Sequence, residues 1–164
     1  MKSVFFYDYP VGRVGIAEED GKLRRVFFAA EKSLAGFHNA ETPLVKKAAA
    51  QLEEYFALRR KKFDLPLHLE GRAFSLSVWQ ALRAIPYGET CSYGEVAARV
   101  GNPRASRAVG MANNRNPIAI IIPCHRVIGR NGSLTGYAGG LDVKRYLLEL
   151  ETSRKISHRG AKGR

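Results

Sequence analysis

The sequence predicts an α/β fold of the α+β kind, in which a small strand-rich N-terminal part precedes a mainly helical C-terminal part. Residues 3–9, 11–17 and 22–29 are rich in Val, Phe and Tyr, which predicts three short strands. Asp20-Gly21 lies between the second and third strands and is typical of a hairpin turn. From residue 73 onward, apolar residues recur at helical spacing, so the structural class changes near that point.

The remaining N-terminal elements also have local signals. Residues 30–41 are expected to form a loop, and Thr42-Pro43 then supplies an N-cap and a first-turn proline. The helix that follows is expected to end near the basic run 59–62, because cations favour a helix C-terminus. With the connector that follows this run, residues 1–72 form the first predicted domain, and the sequence shows no chemistry in it.

The second predicted domain, residues 73–153, contains a helix-turn-helix. Its first helix carries Trp79 as a core anchor, and Ser92-Tyr93-Gly94-Glu95 is a capping-box pattern that opens a second helix. Asn102-Pro103 is expected to cap a third helix that runs from about Pro103 to Asn113. The short Gly-Asn turn between these two helices predicts the motif.

The end of the chain divides into a helix and a tail. A last helix is expected from about Asp142, a plausible cap, to Glu151. Residues 154–164 are basic and have almost nothing to bury, so they are predicted to be a disordered tail.

One stretch, residues 118–126, organises the C-terminal part. Its five apolar residues predict a buried strand, which Pro123 must end. Cys124 would then lie on a turn at the edge of the hydrophobic core. Most free cysteines are small buried hydrophobes, so on these residues alone a packing role and a nucleophilic role stay equally open.

Charge and cysteine content restrict the function classes. The net charge is +12; residues 1–72 carry 13 basic and 10 acidic side chains, and residues 73–164 carry 14 and 5. A basic C-terminal half favours nucleic acid over a membrane as partner, with plain solubility as the alternative. Two cysteines form no disulfide framework, which predicts a reducing compartment. No metal-ligand spacing, membrane-spanning run or signal peptide is present in the sequence.

The third helix has an unusual composition for a DNA reader. Most of its surface consists of small residues, Ala105, Ser106, Ala108, Gly110 and Ala112. They supply almost no base-reading groups but allow a backbone to approach closely, which suits sequence-indifferent binding in a narrow groove. The alternative is tight helix packing in the core. Three basic neighbours favour nucleic acid: Arg104, Arg107 and Arg115.

Together, the C-terminal motifs resemble the O6-alkylguanine-DNA alkyltransferases, which repair DNA by direct reversal. The resemblance rests on Val78–Leu82, Ile85–Thr90, Ser92–Glu95, Ser106–Gly110, Asn116-Pro117, Ile122–Gly129 and Gly136–Gly140. The N-terminal half is similar only in its strand pattern. The resemblance implies a ribonuclease-H-like N-terminal domain and a winged-helix-like C-terminal one.

The resemblance also implies the reaction. Cys124 would attack the alkyl carbon on O6 of guanine, with O4-alkylthymine as a second substrate. A thiolate suits a saturated carbon and is expected to be partly ionised near neutral pH. The thioether that forms cannot be hydrolysed, so the protein would act once. His125 would relay the thiol proton, through a water molecule if the two side chains diverge, and Glu151 would orient His125. A carboxylate at a helix C-terminus is unfavourable, which indicates that Glu151 has a partner.

For the DNA, the resemblance implies a flipped base and contacts in the minor groove. Tyr93 would lie beside the target phosphate, with helix-end packing as the alternative role. Arg107 would fill the gap left in the base stack, with a plain phosphate contact as its alternative. Asn116 would link the DNA-binding and reactive parts. The other expected DNA contacts are Ala105, Ser106, Gly110 and Arg115.

The expected base pocket lies near the last helix. Tyr137 and Gly139-Gly140 would form its wall and backbone donors, and Met111 is expected to contribute to it. Ala138 stands where some relatives have a serine whose hydroxyl donates to O6, so tolerance for bulky alkyl groups is expected to differ. No cofactor and no metal are expected. The expected partner is double-stranded DNA bound by a monomer, in the cytoplasm with the nucleoid, or in the nucleus of a eukaryote.

Three other function classes fit the sequence less well than DNA repair. A non-catalytic lesion-binding relative would replace the reactive cysteine, commonly with tryptophan, whereas Cys124 is present. A helix-turn-helix regulator would need base-reading side chains, which the third helix lacks. A thiol hydrolase usually has its histidine far from the cysteine in sequence, whereas His125 is adjacent. DNA repair is therefore the favoured prediction.

Overall fold

The structure, a computed structural model, describes residues 1–157, with side chains as far as Thr152. The N-terminal elements are β1 (Lys2–Tyr9), β2 (Gly12–Glu19), β3 (Lys22–Phe28), β4 (His38–Asn39) and α1 (Pro43–Phe56). The C-terminal elements are α2 (Ala73–Arg83), β5 (Cys91–Ser92), α3 (Tyr93–Arg99), α4 (Ser106–Asn114), a 3-10 turn (Cys124–Arg126), β6 (Val127–Ile128) and α5 (Leu141–Ser157).

The N-terminal part is a four-stranded sheet in the order β3-β2-β1-β4. β1 and β3 each pair antiparallel with β2, so the three predicted strands are confirmed. Asp20 and Gly21 both have positive φ, 54° and 81°, as the predicted hairpin turn requires. The segment 30–41 is not entirely loop, because its short β4 pairs parallel with β1.

Helix α1 packs its apolar face on this sheet. The Thr42 side chain accepts a hydrogen bond from the Val45 N–H at 3.2 Å, which confirms the predicted cap. The helix ends at Phe56, near the basic run 59–62 as predicted, although no basic residue lies in its last turn. Leu58 adopts a φ of 64°, which stops the helical repeat first.

The C-terminal helices pack on one another as a helix-turn-helix. Trp79 of α2 is buried and donates from Nε1 to the Ala112 carbonyl of α4 at 2.9 Å. The capping box at the start of α3 is confirmed, since Ser92 and Glu95 bond reciprocally. Helix α4 begins at Ser106 rather than at Pro103, because the preceding residues form a turn closed by the Ala105 N–H and the Asn102 carbonyl.

The stretch 118–122 is buried but is not the predicted strand. Ile118 and Ala119 make only isolated bridges, and the Ala119 N–H donates to the Val26 carbonyl of β3 at 2.9 Å. At Ile120, φ is 71°, and the Ile122 N–H then donates back to the Ile118 carbonyl at 3.0 Å. The apolar run therefore folds into a compact loop, and we call residues 116–126 the reactive loop.

Helix α5 is longer than predicted at both ends. It starts at Leu141, with Asp142 inside its first turn instead of at a cap position, and runs to Ser157. Residues 154–157 of the predicted tail are therefore helical, whereas residues 158–164 lie outside the described part of the chain. Glu151 lies well inside the helix.

A continuous core joins the two parts, since buried residues of the sheet, α1 and every C-terminal helix form one cluster. The outer edge of β3 is hydrogen-bonded to two segments that come later in the chain, namely the connector between the two parts and the reactive loop. Leu23 exchanges backbone bonds with the connector at Pro66 and His68, and Val26 does the same with the reactive loop. The sheet thus holds the reactive loop directly. Within residues 1–157, no helix is long and apolar enough to cross a membrane.

Candidate active site

Cys124 begins the 3-10 turn that follows Pro123, and its side chain is only 5% exposed. Burial raises the pKa of this thiol to about 11, although the Asn116 amide and the Lys144 ammonium act in the opposite direction. The thiol is therefore protonated near neutral pH, and the expectation of a partly ionised cysteine was wrong. Any reaction at Cys124 needs a group that takes the proton.

Asn116 fixes the fold of the reactive loop. Its Nδ2 donates to the Ile122 carbonyl at 2.8 Å, and its Oδ1 accepts from the Ile118 N–H at 3.0 Å. This confirms the prediction that the amide bonds nearby backbone. Asn113 of α4 donates from Nδ2 to the Cys124 carbonyl at 3.3 Å, so the helix-turn-helix also contacts the loop.

His125 is fully buried behind the thiol. Its Nε2 lies 2.7 Å from Oε2 of Glu151, which as a carboxylate accepts, so Nε2 carries a proton. Burial lowers the pKa of the imidazole despite the favourable effect of Glu151. Nδ1 has no hydrogen-bond partner among the described residues. A neutral imidazole held in this way has its basic lone pair at Nδ1.

Glu151 is 1% exposed and accepts hydrogen bonds at both oxygens. The donors are Tyr55 Oη (2.6 Å), His125 Nε2 (2.7 Å), Arg126 Nε and Nη2 (2.9 and 3.0 Å) and the Gly88 N–H (3.2 Å). Burial favours the neutral acid, but the bonds from His125 and Arg126 outweigh it and hold the pKa of the carboxyl far below its usual range. The predicted partner of Glu151 is thus confirmed, although its position inside α5 removes the helix-end argument.

The predicted pocket wall lies on the other side of Cys124. The Tyr137 hydroxyl is close enough to the thiol to lower the pKa of Cys124. Its ring packs edge-on against Phe28 of β3 with centroids 5.7 Å apart. A Cβ on Gly139 would lie 2.8 Å from the Phe28 ring, so only glycine fits there. Gly140, with φ at 97°, turns the chain into α5.

Ala138 and Arg115 both line a cavity of about 340 Å³ beside the reactive loop. Its floor comes from β3 and from Asn116-Pro117. The cavity therefore lies where the sheet edge, the end of α4 and the predicted pocket wall meet. Within the described residues, no group of three or more His, Cys, Asp or Glu side chains is placed to hold a metal ion.

Sequence reasoning missed Lys144. This lysine of α5 is fully buried, and its Nζ donates to the Thr135 carbonyl at 2.6 Å, on the segment that leads to Tyr137. Burial lowers the pKa of the ammonium to about 8, while Cys124 acts to raise it. The signal was the spacing on α5, because Lys144, Leu147 and Glu151 recur on one helical face.

Two partners of Glu151 were also missed. Arg126 is buried and donates from Nη1 to the Ile85 carbonyl at 2.6 Å as well as to Glu151. A basic residue next to His125 was visible in the sequence but could equally have faced solvent. Nothing in the sequence pointed to Tyr55, which lies 96 positions from Glu151.

The residues predicted to contact DNA lie on and around α4. Arg107 and Arg115 are exposed, and Ala105, Ser106 and Gly110 are partly exposed. Met111 was expected in the base pocket, but it is also exposed on α4. Tyr93 packs over Gly110, and its hydroxyl is 2.6 Å from Oγ1 of Thr135. Helix α4 therefore presents small side chains and the Arg107 cation on an accessible face. Tyr93 connects that face, through Thr135, to residues 135–140, which we call the pocket segment. Met111 is 56% exposed and lies on this face.

Comparison with protein families identifies the chain. Residues 5–69 match the ribonuclease-like domain, and residues 73–153 match the DNA-binding domain, of 6-O-methylguanine DNA methyltransferase. The chain belongs to the 6-O-methylguanine DNA methyltransferase family. The predicted family and fold class are thereby confirmed.

Individual relatives of this family agree over nearly the whole length. The chain is 52% identical to the methylated-DNA–protein-cysteine methyltransferase of Methanosarcina acetivorans, covering 90% of this chain and 96% of the relative. It is 48% identical to the constitutive enzyme of that name from Bacillus subtilis, covering 87% and 90%. The crystal structure of Mycobacterium tuberculosis OGT in complex with DNA superimposes with a TM-score of 0.86 at 47% identity, covering 93% and 94%.

Proposed function

We propose that this protein repairs alkylated DNA by transferring an alkyl group from O6 of guanine to Sγ of its own Cys124. O4-alkylthymine is a second substrate of the same chemistry. The observation that carries the proposal is the buried His125–Glu151 pair directly after the buried Cys124, in a member of a family whose relatives are named for methyl transfer from DNA to a protein cysteine.

The reaction is an in-line displacement at a saturated carbon. Sγ forms a bond to the alkyl carbon as the carbon–O6 bond breaks, and the bonding electron pair leaves with O6 of the base. Because the pKa of the thiol is raised to about 11, its proton must leave as the attack begins. Nδ1 of His125 receives it through a bridging water molecule, and Glu151 stabilises the imidazolium that results.

The product is a thioether, which contains no carbonyl that water could attack. The chain therefore carries out one turnover and remains alkylated. The developing charge on the thiolate is stabilised by Lys144, the cation whose field acts to lower the pKa of Cys124. The backbone N–H groups of Ala138 and Gly139 would donate to the leaving O6, whereas the Gly140 N–H already donates to the Tyr137 carbonyl at 2.9 Å.

The substrate reaches this buried thiol by leaving the duplex. Helix α4 approaches the minor groove through its small side chains, and Arg107 fills the gap in the base stack. Tyr93 lies beside the phosphate of the extruded nucleotide and, through Thr135, is connected to the pocket segment. Phosphate contacts supply the affinity, so binding depends little on sequence.

The proposal also covers organisation and location. Residues 1–72 form one domain and residues 73–153 the alkyl-transfer domain, and the protein acts as a monomer on double-stranded DNA. It works where the DNA is, in the cytoplasm with the nucleoid, or in a eukaryotic nucleus. Alanine at position 138 leaves only a backbone donor near O6, which changes the tolerance for bulky alkyl groups.

A transfer titration tests the proposed function. Increasing amounts of a duplex that carries one O6-methylguanine are mixed with a fixed amount of protein, and the restored guanine is measured. We expect a plateau at one equivalent per protein, and Cys124→Ser should show no transfer while still binding DNA. Cys91→Ser is the matched control and should keep the plateau, because Cys91 is buried in β5, where it pairs with Val127 after the reactive loop, and has no part in the proposed relay. Transfer by Cys124→Ser would refute the proposal.

A further inference from the structure

The oxygen of Glu151 that bonds His125 has another donor from the opposite end of the chain. Oε2 accepts from Nε2 of His125 at 2.7 Å and from the Tyr55 hydroxyl at 2.6 Å. Tyr55 belongs to the last turn of α1, in the N-terminal part of the chain. The sheet-bearing half, in which the sequence showed no chemistry, therefore contacts the carboxylate that holds the histidine.

The Tyr55 side chain is fixed in this position. It is fully buried, and its ring packs against Phe56, Phe63 and Tyr87 with centroids 5.3, 5.6 and 6.2 Å away. Burial, reinforced by Glu151, raises the pKa of the phenol well above its usual value. The hydroxyl is thus neutral at any working pH and acts only as a donor toward Glu151.

Three donors share Oε2, because Arg126 Nη2 also donates to it at 3.0 Å, and they compete for its charge. A hydrogen bond from Tyr55 draws electron density from Oε2 and makes the carboxylate a weaker base toward His125. It also fixes the plane of the carboxylate, whose other oxygen is held by Arg126 Nε and the Gly88 N–H. Without the Tyr55 hydroxyl, Oε2 would bind the imidazolium more strongly, so more of His125 would already be protonated before the reaction and less of it could accept the thiol proton.

We propose that Tyr55 is a positioning residue of the alkyl-transfer reaction, which orients Glu151 and limits its basicity so that His125 stays neutral until the thiol proton arrives. The inference rests on the proposed relay through His125. It gives the N-terminal domain a part in the reaction beyond holding the reactive loop.

The electrostatic surroundings of His125 are otherwise cationic. Among the described residues, the charged and titratable groups around the imidazole and Glu151 come from five places, namely Tyr55 on α1, Tyr87 after α2, Cys124 and Arg126 in the reactive loop, Tyr137 before α5, and Lys144 on α5. Arg126 and Lys144 both lower the pKa of His125, as burial does. Tyr55→Phe leaves these groups in place and removes only the hydroxyl.

The first test is independent of activity. Histidine is labelled with 15N in wild type and in Tyr55→Phe, and the imidazole of His125 is titrated by NMR. We expect the pKa of His125 to be higher in Tyr55→Phe, because Oε2 has lost a donor and binds the imidazolium more strongly. An identical titration in the two proteins would overturn the proposal, whether or not the protein transfers alkyl groups.

The second test measures the reaction with free O6-benzylguanine, which needs no DNA. In Tyr55→Phe we expect the acidic limb of the pH–rate profile to move to higher pH and the rate near neutral pH to fall about fivefold, with recovery in alkaline solution. The control is Tyr9→Phe, which removes a hydroxyl bonded to the Ala49 carbonyl, within the same sheet-and-helix unit.

The two variants separate positioning from stability. Tyr9→Phe should lower stability while its pH–rate profile coincides with that of wild type. If the Tyr55→Phe profile also coincides with that of wild type, Tyr55 has only a packing role and the proposal is wrong. A wild-type protein that transfers no methyl group from O6-methylguanine in duplex DNA would refute the proposed function instead, and the NMR titration would still decide the question about Tyr55.

Discussion

The reactive loop and helix α4, which serve different steps of the proposed reaction, differ in the burial and pairing of their side chains. Behind Cys124, His125, Arg126 and Glu151 are buried, and Glu151 accepts hydrogen bonds at both oxygens. On α4, Arg107 is exposed and makes no ion pair within the described residues, and its neighbours are small. The groups for the proposed chemistry are thus assembled within the protein, whereas the face of α4 that is proposed to contact DNA is exposed.

The difference follows from what each region must do. A proton relay needs fixed distances and a low dielectric, and both come from burial with complete pairing. A surface that binds DNA of any sequence must avoid base-specific contacts, and it gains its affinity from the DNA phosphates. Mutations should therefore affect the two regions in different measurable quantities.

The largest expected effect is on the buried network. Glu151→Gln leaves the Arg126 cation buried without its counter-charge, so we expect the free energy of unfolding to fall by about 3–5 kcal/mol in urea titrations. Glu149→Gln, at an exposed position of the same helix, is the matched control and should stay within about 0.5 kcal/mol of wild type. Equal losses of unfolding free energy in the two variants would show that the buried network contributes no more to stability than an exposed carboxylate does.

The pH dependence of stability gives a smaller effect at the thiol. Its pKa is raised from 9.0 to about 11 in the folded protein, so its contribution is complete below pH 9 and is lost as pH rises through 11. Between these values we expect wild type to lose about 2 kcal/mol more stability than Cys124→Ser, whose hydroxyl does not ionise. Parallel stability curves would mean that the thiol is not desolvated as the structure indicates.

The smallest expected effect is on the DNA face. Arg107→Ala should slow repair in duplex DNA about tenfold, because base extrusion loses its support, and should slow the reaction with free O6-benzylguanine less. Arg83→Ala removes the same charge at the exposed end of α2 and serves as the control. If Arg107→Ala slows both reactions equally, Arg107 does not act in extrusion.

Local rules predicted most of the fold. The strand pattern, the Asp20-Gly21 turn and the capping box at Ser92 depend on residues close in sequence, and the structure confirms them. The stretch 118–122 was misassigned because a short β-branched run between two prolines suits a strand as well as a buried loop. One bond that decides between them comes from Val26, in a distant part of the chain, and the others come from the Asn116 side chain just before the run.

The candidate site was predictable where family motifs mark it and unpredictable where contacts are long-range. The motifs pointed to Cys124, His125 and Glu151, and the structure brings the last two together. Tyr55 could not be found, because its contact with Glu151 depends on how α1 packs against α5. The ionisation of Cys124 was misjudged for a similar reason, since the cost of desolvation depends on the folded surroundings.

The central claim, that Cys124 accepts the alkyl group, is tested most directly by intact-protein mass spectrometry with peptide mapping. The protein is mixed with a duplex that carries one O6-methylguanine. We expect a gain of one methyl group per protein, located on the peptide that contains Cys124, in stoichiometric yield. A methyl group on Cys91, or an unchanged mass despite preferential binding to the damaged duplex, would contradict the account, and the second result would favour a lesion-binding protein.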